Sequence, residues 1–286
     1  MNKTIYLLKS TVSVFIIFFA FYAKAEVAEV LEATDIGIIK DEIAKLKSGD
    51  MVLLDVKHVI FYSSDQVMLH EHKSFFKQKF AQIEANLGKE EATRLKSIVL
   101  SSYKPMIVDH EIAELINKAQ KSGIIVFALT SGNTSNYGII PNRADLRIKT
   151  IKDIGIDFSK SAELDYIDLS EEVELPRKKD SSHPIFQEGV IFAAKRPKGE
   201  ILGKFLSLSK LKPGKIIFVD NQLKNVLSVE EKCKELDIDY TGIHFTKLHN
   251  KPSTQLDKKI AEKKFEILLA ESRWIDDNEA SLMIKK

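Results

Sequence analysis

Three places in the sequence put charged or hydroxyl side chains at the ends of short apolar runs, and a fourth puts a lysine at the start of a helical pattern. Asp55 follows Val52-Leu53-Leu54, and Thr130-Ser131-Gly132-Asn133 follows Val126-Phe127-Ala128-Leu129. Asp220-Asn221 follows Ile216-Ile217-Phe218-Val219, and Lys198-Gly199 opens a helical pattern just upstream of that run. A carboxylate can serve as a nucleophile or bind a hard cation. An ammonium neutralises an anion, and hydroxyls supply hydrogen bonds. Brought together, these groups would surround an anion-sized hollow.

The elements expected around them make such a meeting plausible on topological grounds. Residues 51–56, 124–129 and 215–219 are continuous apolar runs, the pattern of strands buried on both faces of a parallel sheet. Around them lie helical patterns at 35–47, 65–120, 142–155, 198–211 and 226–236. The second of these is broken at Lys104-Pro105, and Asp109 is placed to cap its last part before Gly123. Residues 185–194 read as two short strands about Glu188-Gly189 and residues 240–245 as a strand. Residues 165–180 read as a solvated loop or hairpin, and 256–274 as a terminal amphipathic helix. Alternating strands and helices predict an α/β fold, a three-layer sandwich on a mainly parallel sheet with a helical cap insertion. In such sheets ligands bind beyond the carboxyl ends of the strands, where three of the motifs fall, with Lys198 at the start of the helix that leads into the third strand.

In this order the motifs resemble those of the haloacid-dehalogenase-like (HAD-like) superfamily of phosphoryl-transfer proteins, which has a Rossmann-like fold. The likeness rests on four short motifs over residues 51–225. The stretch IIFVDNQLKNVLSVEEKCKELDIDYTGIHF is most similar to an often exported bacterial branch of unknown function. The resemblance implies that Asp55 is the nucleophile and that Thr130, with Ser131 and Gly132, holds a phosphate. It implies that Lys198 neutralises that phosphate, and that Asp55, Asp220 and Asn221 bind Mg²⁺. The reaction would be attack by the Asp55 carboxylate on a phosphorylated small molecule, followed by hydrolysis of the aspartyl-phosphate. Residues 26–286 would form the domain, with a helical insertion at about 62–122 and a second insertion at about 134–197. Insertions of this kind exclude water and shape substrate choice.

Two positions depart from that pattern. Active phosphatases of the superfamily read Asp-x-Asp-x-Thr, whereas this chain reads Asp55-Val56-Lys57-His58-Val59. Lys57 takes the place of the acid/base carboxylate; an ordinary ammonium titrates near 10.4 and is a poor base at neutral pH. Asn221 takes the place of a second acid and lowers the negative charge offered to a metal. Two readings follow. One is a Mg²⁺-dependent phosphohydrolase with Asp55 and Lys57 as catalytic residues. The other is a catalytically inactive HAD-like module for binding or for a protein partner.

Other reactive residue types receive plainer readings. His70 and His72 sit two apart and face different sides of a helix, so a solvated face is expected rather than a metal pair. Arg143 and Arg147, one turn apart, could reach a substrate anion but read first as surface charges; His58 could contact substrate but reads first as a hydrogen-bonded structural residue. Asn225 reads as a helix cap or a support for the Asp220 loop. Phe75, Phe76 and Phe80 read as core, and so does the single cysteine, Cys233.

The amino terminus belongs to a different class of segment. Lys3 and Lys9 precede an 11-residue apolar run, Val12–Tyr22, and Ala23-Lys24-Ala25 has the spacing of a cleavage site. This predicts a signal peptide over residues 1–25, export to the periplasm or beyond, and no stable membrane span once it is removed. The whole chain of 286 residues carries a net charge of +2, and loss of residues 1–25, with three lysines and no acid, leaves −1. Near-neutral charge removes any strong case for nucleic-acid binding, which usually leaves a basic stripe and a high pI, and no nucleic-acid partner is expected. With one cysteine no internal disulfide forms, so packing alone must hold the exported chain together.

Overall fold

The structure is a computed structural model that describes residues 30–161, 163–164, 166–170, 182–249 and 254–285. The expected signal peptide and most of the 165–180 loop lie outside the described residues. In chain order the elements begin with β1 (Leu31–Ala33), α1 (Ile36–Ile43), β2 (Met51–Leu54) and β3 (Phe61–Ser63). Then come α2 (Lys73–Ser101), β4 (Pro105–Ile107), α3 (Ile112–Lys121), β5 (Ile125–Thr130) and α4 (Arg143–Asp153). The strands β6 (Tyr166–Asp168), β7 (Ile185–Gln187) and β8 (Val190–Phe192) precede α5 (Lys198–Ser209). The last elements are β9 (Lys215–Asp220), α6 (Leu223–Glu235), β10 (Asp239–Phe245), α7 (Lys258–Glu271) and α8 (Asp277–Ile284).

One eight-stranded sheet runs β1-β10-β9-β2-β5-β8-β7-β6. Every neighbouring pair from β1 to β8 is parallel, and only the β7 pairings are antiparallel. This is the expected mixed α/β sandwich of Rossmann-like type. The apolar runs explain the layering, because successive side chains of a strand point to opposite faces. Val52, Leu54, Val126, Ala128, Ile217 and Val219 pack on one face, against isoleucines of α1, α3 and α4. Met51, Leu53, Phe127, Leu129, Ile216 and Phe218 pack on the other, against α5 and α6, where Phe186 and Phe205 stack 4.9 Å apart. Cys233 is buried in this second core.

A separate apolar cluster joins α2 to α7. Phe80, Ile83, Leu95 and Val99 meet Ala261, Phe265, Leu268 and Trp274. Beside it the Lys264 ammonium, wholly buried, bonds Asp65 at 2.7 Å and Asp277 at 2.5 Å and lies 4.8 Å from the Trp274 ring. Trp274 Nε1 donates to Asp65 Oδ2 at 2.6 Å. These contacts tie the carboxyl-terminal helices to the chain just beyond β3.

Within residues 62–122, then, α2 packs on α7, whereas α3 belongs to the sandwich layer beside α1 and β5. Within residues 134–197, α4 lies in that same layer and β6, β7 and β8 extend the main sheet. The small β3–β4 sheet, β1 and α8 carry too few residues to show a period in the sequence.

Candidate anion site at the sheet edge

The motif residues sit where the parallel strands end. Asp55 is the first residue after β2, and its amide donates to Val219 O at 2.9 Å, fixing it beside β9. Thr130 and Asp220 are the last residues of β5 and β9. Lys198 is the first residue of α5, and that helix is pressed onto α6 at its start. A Cβ at Gly199 would come within 1.9 Å of Ser228 O, so only glycine allows this approach.

Three of these residues form a buried ion cluster. Lys198 Nζ donates to Asp55 Oδ1 at 2.5 Å and to Asp220 Oδ2 at 2.6 Å, with Lys198 1 % exposed, Asp220 0 % and Asp55 8 %. Asp220 Oδ2 also accepts from Asn225 Nδ2 at 2.9 Å, and Asp220 Oδ1 accepts from the Gln222 amide at 2.8 Å. Burial, together with the neighbouring Asp55 charge, raises the Asp220 pKa above the ordinary carboxylate value against the pull of Lys198.

Above the cluster opens a hollow of 530 Å³. Asp55, Lys57, Asn221 and the Thr130–Asn133 turn line it, whereas Lys198 and Asp220 do not. Gly132 N donates to Thr130 Oγ1 at 3.3 Å, which holds the turn closed. The sequence placed Lys198 against a bound phosphate; in the structure its ammonium is engaged beneath the floor by two carboxylates.

The hollow is strongly cationic. Lys57, Lys73, Arg143, Arg147 and Lys195 line it, against the single carboxylate of Asp55. The expectation that Arg143 and Arg147 are surface charges is corrected: both lie half-buried in the wall. One face of α4 presents Arg143, Leu146, Arg147 and Thr150, following the i, i+3, i+4 spacing of a helix. Arg143 is steadied by Ser135, its Nε donating to the carbonyl at 2.9 Å and Nη2 to Oγ at 2.6 Å. The Arg147 guanidinium lies 5.3 Å from the Phe61 ring, and Lys57 Nζ 5.6 Å from the Tyr103 ring. Among the described residues none of the five cations forms an ion pair with a carboxylate.

Such crowding shifts titrations. Protein walls on most sides, then the Arg147 charge, lower the Lys57 pKa to about 8, with Asp55 opposing and Lys73 adding to the effect. Lys57 stays exposed to the water of the hollow, which works against this depression. His58, at φ 69°, is lowered to about 4 by burial and then by the Lys57 charge, so it is neutral at physiological pH. Its Nδ1 faces Asn221 Nδ2 at 3.5 Å, on the partition between this hollow and a second one of 650 Å³. His70 reaches that second hollow, its ring 6.1 Å from His58, while His72 Nε2 meets Thr254 O at 2.7 Å.

These residues do not fit a divalent metal. Both Asp220 oxygens are engaged, Lys198 stands between the two carboxylates, Asn221 brings no charge and five further cations surround the opening. Among the described residues no group of three acidic, histidine or cysteine side chains is arranged to hold a metal ion. Lys73, Tyr103 and Lys195 also line the hollow. Nothing in the sequence singles them out, because each lies on a segment whose position over the sheet edge is a tertiary fact.

Comparison with known proteins finds sequence relatives across nearly the whole chain. An uncharacterized protein of Rickettsia prowazekii is 24% identical over 250 residues, covering 87% of this chain and 88% of its own. A Chlamydia pneumoniae protein named "Putative outer membrane protein" is 24% identical over 275 residues, covering 93% and 92%. A solved structure, a haloacid dehalogenase-like hydrolase from Streptococcus pneumoniae, is 13% identical, covers 71% of this chain and 91% of its own, and superimposes with a TM-score of 0.38. No helix among the described residues is long and apolar enough to cross a membrane. Residues 32–281 match one family model, and the chain therefore belongs to the family described as "Protein of unknown function (DUF2608)".

Proposed function

We propose that this is an exported HAD-like binding protein whose hollow takes up a phosphorylated small molecule without metal-dependent hydrolysis. The carrying observation is the division of charge at the sheet edge. Lys198 is shared by Asp55 and Asp220 at the floor, while five cations with no carboxylate ion pair among the described residues line the space above. Thr130, Ser131 and Gly132 offer hydroxyl and amide donors to an anion resting on that floor. Export is supported by the Lys-rich, apolar, Ala-x-Ala amino terminus and by the outer-membrane name carried by the chlamydial relative.

The competing reading is the Mg²⁺-dependent phosphohydrolase acting through an aspartyl-phosphate on Asp55. Its support is the placement of Asp55 in the lining, with Lys57, whose pKa is lowered, beside it. One pair of measurements separates the two. Phosphate binding is followed by calorimetry in EDTA, and release of p-nitrophenol from p-nitrophenyl phosphate is followed with Mg²⁺, for the wild type and Asp55→Asn. The binding reading expects phosphate uptake in EDTA, no turnover, and several-fold tighter binding by Asp55→Asn, which removes the one acidic charge in the lining. Turnover by the wild type that Asp55→Asn abolishes would establish the hydrolase instead.

A further inference from the structure

We infer that the hollow selects a small soluble ligand bearing two phosphoryl groups rather than one. The inference rests on the binding function proposed above and names its ligand class. Five cations against one carboxylate leave an excess of four positive charges in the lining. One phosphoryl group carries about −1.5 to −2 near neutral pH, so a single group leaves half of that excess unanswered and two groups match it.

The donors come from several elements. The Thr130–Asn133 turn offers hydroxyl and amide groups to one anionic group, and Lys57 lies within electrostatic reach of Arg147 and Lys73. Arg143 and Arg147 are one turn of α4 apart, about 6 Å along the axis, on the wall. Lys73 from the start of α2 and Lys195 from the turn after β8 reach the same space from other sides. Guanidinium groups bind phosphate through paired N–H donors. Arg143 is already oriented by Ser135, whereas Arg147 packs its guanidinium on the face of Phe61 and, among the described residues, makes no hydrogen bond or ion pair. At 530 Å³ the hollow has the size of small-molecule sites and exceeds the needs of one phosphate. The charge lines a concavity between the sheet edge and α2 rather than a convex face, which suits a free molecule and not a bilayer.

The test is calorimetric titration with inorganic phosphate and with pyrophosphate at equal ionic strength, on the wild type and on Arg147→Gln. The wild type is expected to bind pyrophosphate at least tenfold more tightly, and Arg147→Gln to weaken pyrophosphate binding more than phosphate binding, losing most of that preference. Because Arg147 packs on Phe61, its variant is checked by circular dichroism. If it does not fold, the double variant Lys73→Gln/Lys195→Gln, at two exposed positions, carries the test with the same expected loss. Equal affinity of the wild type for the two probes, or a preference unchanged in the folded variants, overturns the two-phosphoryl inference and leaves simple phosphate binding standing. Failure of the wild type to bind either probe overturns both.

Discussion

Lys57 stands where an acid/base carboxylate was expected, and its consequences are electrostatic. With its pKa lowered to about 8, it is a cation below that pH and a neutral amine above it. An anion is therefore held best below pH 8 and more weakly as pH rises through that value. Sulfate, a dianion across this range, is a suitable probe. Its affinity is expected to fall several-fold between pH 7 and pH 9 in the wild type and to stay flat in Lys57→Arg, whose guanidinium remains charged. Lys198 has the opposite duty, since it stabilises carboxylates and leaves the ligand to others. Lys198→Met would leave Asp55 and Asp220 facing each other without the ammonium that both bond, at a cost of about 3–5 kcal/mol near neutral pH. A carboxylate whose folded pKa is raised favours the folded state only while protonated, so that deficit should shrink in acid. Urea unfolding at pH 7.5 and pH 5 measures it, and a deficit that grows on acidification would contradict this account.

At the scale of elements, the strands that carry the site were readable because each is a continuous apolar run ending in polar residues. The hairpin at Glu188-Gly189 was readable from its turn. The side of α4 that meets the hollow was not, for Arg143 and Arg147 show helical spacing without revealing what lies opposite. The same limit applied to Lys198: its motif position suggested a phosphate partner, and only the approach of β2 and β9 shows that two carboxylates claim it first. The attachment of α7 was also hidden, because Asp65 is far in sequence from Lys264 and Asp277. Lys264→Met is expected to destabilise the protein by about 3 kcal/mol by leaving Asp65 and Asp277 uncompensated, which chemical unfolding would register. Since this contact anchors the cluster shared by α2 and α7, hydrogen exchange in α2 should quicken in the same variant.

For the whole molecule, a nearly neutral chain concentrates positive charge in one concavity. Net charge conceals this, which is why composition argued only against nucleic acid and not for a small anion. Occupation of the hollow should stabilise the fold by mass action, by about 2.7 kcal/mol at a ligand concentration 100-fold above Kd. For a chain of this size each kcal/mol is worth about 2–4 °C, so the midpoint should rise by about 5–10 °C. The rise should diminish in high salt, where charge attraction is screened. Differential scanning fluorimetry with pyrophosphate at low and high sodium chloride would measure it; an unchanged midpoint at low salt would refute it.

The contact between Gly199 and Ser228 gives this charged machinery a steric governor. One methyl group at position 199 would wedge α5 off α6 and draw the neighbouring ammonium away from its two carboxylates. A substitution that alters no charge would thereby retune the electrical balance of the sheet edge from behind, without entering the cavity at all.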